Sequence, residues 1–152
     1  MSTALLIRPC PADQAPLRLL LEADPDPRKI ERYLNDGMCR VGYVADSEMA
    51  AYVLQAREDG VIELMNIAVT PHLQGQGLGR QLLDDAITQA RLLGAQRLEL
   101  GTGSFGHPLT FYQRAGFRVV AVEPDYFLHH YAEPLFENGL QHKDRLRLAL
   151  AL

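Results

Sequence analysis

The fold of this chain is decided by the stretch Pro71-His72-Leu73-Gln74-Gly75-Gln76-Gly77-Leu78-Gly79-Arg80. It lies between an apolar run, Val61 to Val69, and a helical pattern that begins near Leu78. Glycine permits positive φ and lets a ligand approach the backbone, because it carries no Cβ. A glycine-rich turn that opens a helix also leaves unpaired N–H groups at the positive end of the helix dipole. The stretch therefore predicts a strand, an anion-binding turn and a helix.

The spacing of this turn disfavours the two commonest phosphate loops. A nucleotide P-loop has Lys and then Ser or Thr after its last glycine, whereas Arg80 and Gln81 follow here. The evenly spaced glycines also do not fit the dinucleotide pattern G-x-G-x-x-G. What remains is Gln74, two residues, Gly77, one residue and Gly79. This resembles the acyl-CoA loop of the GNAT N-acyltransferase superfamily, whose amides hold the CoA pyrophosphate.

The size and composition of the chain predict a single domain over residues 1–152 with an ordinary core. Hydrophobic residues make up 47% and charged residues 22% of the chain. A net charge of −4 argues against nucleic acid as a partner. Cys10 and Cys39 look like isolated thiols, and the adjacent His129 and His130 are poor chelate geometry, so no metal site is expected. No apolar run is long enough for a membrane span, and no signal peptide is recognisable, so we expect a cytoplasmic protein.

The hydrophobic periodicity predicts strands and helices in the order β-αα-βββ-α-β-α-β-β. Expected strands lie near 5–7, 39–45, 49–56, 61–69, 98–100, 117–122 and 144–150, and expected helices near 12–23, 28–34, 78–93 and 108–115. The stretch 123–139 contains two prolines and is interpreted as an extended loop or irregular arm. This is also the order of the GNAT fold, which implies an α/β (α+β) architecture with a mixed, mostly antiparallel central sheet flanked by helices.

A second resemblance lies in Phe111-Tyr112-Gln113-Arg114-Ala115-Gly116-Phe117, which is similar to a second GNAT signature. The resemblance implies that Tyr112 donates a proton to the CoA sulfur. A phenol, with an ordinary pKa of about 10, is protonated at neutral pH and suits that role. The alternative interpretation is a packing residue beside Phe111.

The resemblance also implies roles for the strand before the loop. In the family this strand splays from its neighbour, and exposed backbone groups bind the pantetheine arm; here they belong to Ile67, Ala68 and Val69. The amide of Ile67 or a near neighbour would stabilise the oxyanion. The loop residues expected to bind acetyl-CoA are Gln74, Gly75, Gln76, Gly77, Leu78, Gly79 and Arg80.

Glu63 is the candidate general base. Simple strand alternation places Glu63, Met65, Ile67 and Val69 on one face and Asn66 on the other. A carboxylate in an apolar row needs a partner, an edge position or a function. The spacing of Glu63 from Val69 matches the glutamate base of some GNAT enzymes, but a charge at the exposed start of a strand is an equally good explanation.

One position departs from the family pattern. Many members have an asparagine seven residues before the tyrosine, where this chain has Phe105; Ser104 and His107 are possible substitutes. The resemblance implies an acetyl-CoA-dependent N-acetyltransferase that acts on a primary amine, with a homodimer as its assembly. The mild acidity and the compact chain favour an amine of a small molecule as acceptor. A protein or peptide acetyltransferase, and an acyl-CoA-binding module without catalysis, are the alternatives.

Overall fold

The computed structural model describes residues 4–152 of the chain. Seven strands form one sheet in the spatial order β1-β2-β3-β4-β5-β9-β6, and β7 and β8 form a separate hairpin. The strands are β1 Leu6–Cys10, β2 Met38–Val44, β3 Ser47–Ala56, β4 Val61–Val69, β5 Arg97–Gly103, β6 Arg118–Glu123, β7 Phe136–Glu137, β8 Leu140–Gln141 and β9 Arg145–Ala151. The helices are α1 Leu17–Ala23, α2 Pro27–Asp36, α3 Leu78–Leu92, α4 His107–Arg114 and α5 Tyr126–His130. The predicted mixed, mostly antiparallel sheet is confirmed.

Helices cover both faces of the sheet. On one face α3 buries an apolar stripe against the sheet, and on the other face α1 and α2 pack against β2 and β3. Asp26 starts α2 by accepting hydrogen bonds from the amides of Arg28 and Lys29, with Pro27 in the first turn. α3 contributes Leu82, Leu83, Ala86, Ile87 and Ala90 to its core, as the helical spacing predicts.

Two predicted segments differ from the structure. The helix expected over 12–23 begins only at Leu17, after a short turn at Ala12–Gln14. Pro16 forces the preceding residue into an extended conformation, which breaks the helix there. The arm over 123–139 is not irregular, because it contains α5 and the first strand of the β7–β8 hairpin. Asn138 and Gly139 both have positive φ and form the hairpin turn.

β4 and β5 are the only parallel neighbours among the described strands, and they pair over a short length. The ladder joins Val61 to Arg97, Ile62 to Leu98 and Glu63 to Glu99. Beyond this ladder, β4 continues to Val69 and β5 to Gly103, but the two strands no longer pair with each other. The two strands therefore diverge beyond Glu63, which opens the sheet at their carboxyl ends.

A β-bulge in β4 changes which side chains share a face. Val53 on β3 pairs with Asn66 and Leu54 pairs with Leu64, so Met65 is the extra residue. Ile67 consequently packs on the same core as Leu64, the one covered by α3. Glu63 therefore lies on the face opposite Ile67, with Asn66. The alternation predicted from the sequence is wrong here, because a bulge inverts strand parity.

Two further observations complete the fold. Cys10 and Cys39 are not isolated, since they pair directly across β1 and β2 as free thiols. Burial raises the pKa of both, that of Cys39 to about 12. Within residues 4–152, no helix is long and apolar enough to cross a membrane.

Candidate active site

The glycine turn forms an open cradle of backbone amides at the start of α3. Gly75 and Gly77 each have a φ of 82°, a conformation that other residues rarely adopt. No heavy atom within 4 Å would contact a Cβ at either position, so space is left above the turn. Gly77 precedes the first turn of α3, and no side chain caps that turn. Its amides are therefore free to bind an anion.

A cavity of about 700 Å³, here called the loop cavity, extends along this cradle. Eight of the ten residues predicted to bind acetyl-CoA line it: Ile67, Ala68, Val69, Gln74, Gly75, Gly77, Gly79 and Arg80. Gln76 does not line it, and Leu78 is buried in the core, so only its amide faces the turn. The Gln74 side chain donates to the Val69 carbonyl oxygen at 3.1 Å and braces the turn.

The opposite wall of the loop cavity was not predicted from the sequence. It includes Phe111 and Arg114 of α4, and Phe111 lies 3.6 Å from where a Cβ of Gly79 would stand. Arg80 and Arg114 give the cavity two guanidinium groups, which suit the phosphates of CoA. The backbone amides, the open turn and these arginines together fit a CoA ligand. Phe105 lies in place of the family asparagine; His107 lines the loop cavity, whereas Ser104 does not.

Tyr112 lies where the loop cavity meets a second cavity. Its ring packs edge-on against Phe111 and Phe117, with ring centres 5.3 and 5.9 Å away. Its hydroxyl makes no hydrogen bond to any residue in 4–152. Burial raises the pKa of Tyr112, so the hydroxyl stays protonated and is available as a donor.

The second cavity, of about 680 Å³, is called the aromatic cavity because six Phe and Tyr side chains line it: Tyr33, Phe105, Tyr112, Tyr126, Phe127 and Tyr131. Six residues line both cavities: Glu22, Ala23, Ile67, Pro108, Tyr112 and Glu137. A thioester held along β4 with its CoA portion in the loop cavity would therefore place its acyl carbon at this junction.

Glu63 lines the aromatic cavity but is held in an ion network. Its side chain is 9% exposed, and its two oxygens accept hydrogen bonds from Arg57 and Arg147, each at 3.1 Å. Arg147 also donates to Glu99 at 3.1 Å, and Glu99 pairs with Arg97. These contacts lower the pKa of Glu99 against the opposing effect of burial. A proton acceptor at Glu63 would thus share its lone pairs with two guanidinium groups.

The sequence did not indicate which contacts the polar residues of the arm make at the site. Glu137 accepts a hydrogen bond from the amide of His107 at 3.2 Å, and so caps α4, the helix that carries Tyr112. His142 lies 2.9 Å from the other oxygen of Glu137 and stacks on Phe105. A sequence signal for this part of the arm is the dipeptide Asn138-Gly139, which favours a two-residue hairpin turn.

A second unexpected cluster lies at the α1–α2 side of the aromatic cavity. Asp24 is 8% exposed and accepts hydrogen bonds from the hydroxyls of Tyr33 and Tyr131, each at 3.1 Å. Asn66 donates to the Tyr33 oxygen at 2.9 Å. No group of three or more His, Cys, Asp or Glu side chains in residues 4–152 is arranged to hold a metal ion.

Comparison with known proteins agrees with this geometry. The family model described as acetyltransferase (GNAT) domain matches residues 35–119, which include β4, the glycine turn and Tyr112. An amide cradle beside a splayed strand pair, with a tyrosine at the end of the opening, defines a CoA-dependent acyltransferase.

Three similar proteins resemble the chain over most of its length. The N-acetyltransferase YvbK of Bacillus subtilis is 44% identical over 135 residues, which is 88% of this chain and 87% of YvbK. The structure of an IAA acetyltransferase from Bacillus cereus has a TM-score of 0.95 and 40% identity, and covers 98% of this chain and 100% of that one. A GNAT family acetyltransferase from Elizabethkingia anophelis with acetyl-CoA bound has a TM-score of 0.94 and 35% identity, and covers 97% and 98%. The chain belongs to the GNAT family and is an N-acetyltransferase that uses acetyl-CoA.

Proposed function

We propose that this enzyme acetylates a primary amine of a small molecule. The observation that carries this proposal is the meeting of the two cavities at Ile67 and Tyr112. The volume of the aromatic cavity lies in the range of small-molecule sites, about 300–1,000 Å³. The arm contributes Tyr126, Phe127 and Tyr131 to its lining. A cavity of this size favours a compact acceptor over a folded protein surface.

The roles proposed for the chain follow from the needs of direct transfer. Acetyl-CoA supplies the acyl group as a thioester. The edge of β4 that faces the opening, at Ile67, Ala68 and Val69, binds the pantetheine arm, and an amide there donates to the carbonyl oxygen as negative charge develops. The amides of the turn at Gly75 and Gly77 and the guanidinium of Arg80 bind the phosphates.

Tyr112 is proposed as the proton donor to the leaving sulfur. The amine nitrogen bonds to the acyl carbon, the carbon–sulfur bond breaks, and the Tyr112 hydroxyl gives the thiolate its proton. The amine loses a proton in the same turnover, and Glu63 is the proposed proton acceptor from its position in the aromatic cavity. Glu63 then releases this proton to solvent, and the Tyr112 phenolate regains a proton from solvent. Both oxygens of Glu63 already accept hydrogen bonds from arginine. A structural role in this ion network therefore competes with the proposed role of Glu63 as a base.

The experiment that tests the function combines binding and turnover. Calorimetry measures the binding of CoA in the loop cavity. Acetyl transfer is measured by the release of free thiol from saturating acetyl-CoA in the presence of each of a panel of primary amines. We expect CoA binding and thiol release with at least one small amine, with acetylated product confirmed by mass. A peptide with a free N-terminal amine that outperforms every small amine would overturn the proposed acceptor class. CoA binding without any product would overturn the catalytic assignment.

A homodimer is proposed separately. β6 is an edge strand of the sheet and exposes Val119, Val120 and Val122. An exposed apolar edge strand is a ready pairing surface. Light scattering should give twice the mass of the 152-residue chain, and a monomer would contradict the proposal.

A further inference from the structure

The orientation of the Asn66 amide is fixed by its neighbours. Its nitrogen donates to the Leu20 carbonyl oxygen and to the Tyr33 hydroxyl oxygen, each at 2.9 Å. A flipped amide would direct its oxygen at the Leu20 carbonyl, which has no proton to donate. The side-chain oxygen therefore points away from both groups. That oxygen is buried and has no hydrogen-bond partner in residues 4–152, which is uncommon for a buried acceptor.

Asp24 lies in the same cluster and has unused acceptor capacity. One of its oxygens accepts from the Asp26 amide and the Tyr131 hydroxyl, and the other accepts from Tyr33 alone, with all three contacts at 3.1 Å. A carboxylate offers about four acceptor sites, so one remains on the oxygen that Tyr33 contacts. Burial raises the pKa of Tyr33 and of Tyr131, so both hydroxyls keep the protons that they donate to Asp24.

The cluster consequently presents acceptors without donors. Three groups can each accept a hydrogen bond from a partner: the Asn66 oxygen, the remaining site on Asp24 and the lone pair of the Tyr131 hydroxyl. Asp24 also adds a negative charge. Asp24, Tyr33, Asn66 and Tyr131 all line the aromatic cavity. The complement of such a surface is a positively charged group with several N–H bonds.

We propose that Asn66 and Asp24 form an ammonium-binding subsite that selects cationic acceptors in the aromatic cavity. This deepens the proposed function and rests on it, because the cavity is taken to hold the acceptor. The ammonium held there is either the amine that reacts or a second one on the same molecule. Both share the same chemistry.

Two basic side chains that line the aromatic cavity contact aromatic rings of it. The Lys29 ammonium lies 5.1 Å from the centre of the Tyr131 ring, over its face. Arg145 pairs with Glu123 at 2.7 Å and stacks on Tyr126 at 3.6 Å. Among residues 4–152, no Lys or Arg side chain donates a hydrogen bond to Asp24 or Asn66.

The kinetic test uses n-butylamine and 1,4-diaminobutane, which have the same chain length and one or two ammonium groups. With saturating acetyl-CoA, Asn66→Leu and Asp24→Asn should each raise KM about 10- to 100-fold for an amine whose ammonium occupies the subsite. This is the effect that loss of a hydrogen bond to a charged group implies, about 10- to 100-fold in affinity. KM for acetyl-CoA should stay within twofold. Glu31→Gln on the exposed face of α2 makes the same charge change as Asp24→Asn and should alter no KM beyond twofold.

The pattern across the two amines identifies which ammonium is bound. Equal increases for both amines assign the reacting nitrogen, and an increase for the diamine alone assigns a second ammonium; either supports the proposal. Unchanged acceptor KM for both amines, in variants that still bind CoA by calorimetry, would overturn it.

A binding measurement on the unmodified protein keeps the subsite testable if the variants fail to fold or if neither amine reacts. The side-chain amide resonances of Asn66, assigned in the complex with CoA, should shift on addition of 1,4-diaminobutane up to about 0.1 M, well above the millimolar affinity expected of a small ligand. 1,4-Butanediol, which has the same length but no charge, should not shift them. A shift without turnover of any amine in the panel would support the subsite and reject the proposed function. Absence of a shift, whether or not turnover occurs, would overturn the subsite.

Discussion

The loop cavity and the aromatic cavity are built by different means. Half of the residues that line the loop cavity lie in one segment from Ile67 to Arg80, and the others come from α1, α4 and Glu137. The aromatic cavity is formed by side chains from α1, α2, β4, β5, α4, the arm and β9, which are far apart in sequence. A donor common to a family can be bound by a short motif, whereas an acceptor is selected by residues that the fold gathers. The following variants test that division.

The largest effect is expected at the junction of the cavities. Tyr112→Phe should lower kcat roughly 10- to 1000-fold, because the thiolate loses its proton donor. Raising the pH should not restore the rate, since the missing group acts as an acid. Steady-state rates measured from about pH 6 to about pH 10 test this prediction, since pH 10 is near the ordinary pKa of a phenol. Near-normal kcat with an intact fold would make Tyr112 a packing residue.

The next effect concerns the aromatic cavity. Glu63→Gln should lower kcat/KM about 10- to 100-fold at neutral pH while leaving the affinity for CoA unchanged, since a general base is lost. Part of the loss should be recovered at higher pH, where more of the amine is uncharged. The rate should be measured beside Tm. A loss that does not vary with pH and accompanies a lower Tm would assign Glu63 to the ion network with Arg57 and Arg147.

A matched pair of glycine variants tests the loop cavity. Gly77→Ala places a Cβ on a residue with positive φ, at a cost of about 1–2 kcal/mol, and should raise KM for acetyl-CoA about tenfold. Gly79→Ala adds its Cβ within α3 at ordinary contact with Phe111, so KM should change by no more than about twofold. Acceptor KM should not change in either variant. Equal effects of the two substitutions would show that crowding, rather than backbone conformation, governs the turn.

The smallest effect is expected at the arm. Glu137→Ala removes the cap of α4 and should lower stability by about 1 kcal/mol, or about 2–4 °C in Tm for a protein of this size. Glu133→Ala, on the exposed part of the same arm, is the control and should leave Tm unchanged. Differential scanning calorimetry measures both. An unchanged Tm in Glu137→Ala would show that α4 does not depend on the arm.

The sequence predicted the contiguous parts of the molecule and missed the assembled ones. The glycine spacing and the Phe111–Phe117 segment indicated the fold and eight lining residues of the loop cavity, because each motif is local. The cluster of Asp24, Tyr33, Asn66 and Tyr131 was missed, since its members are brought together only by tertiary packing. The face of Glu63 was wrong, because the bulge at Met65 depends on pairing with β3 rather than on local propensity.

The bulge at Met65 has a consequence for insertions and deletions in this strand. Before it, Glu63 lines the aromatic cavity; after it, Ile67 and Val69 pack on the core under α3. One unpaired residue thus lets a single strand place Glu63 and Asn66 along the aromatic cavity while Ile67 and Val69 pack on the opposite face. Deleting one residue between Leu64 and Asn66 would either reverse the faces of the side chains on one half of β4 or shift the register of its pairing with β3. Sequence length in this stretch should therefore be more tightly constrained than the identity of the residue at position 65.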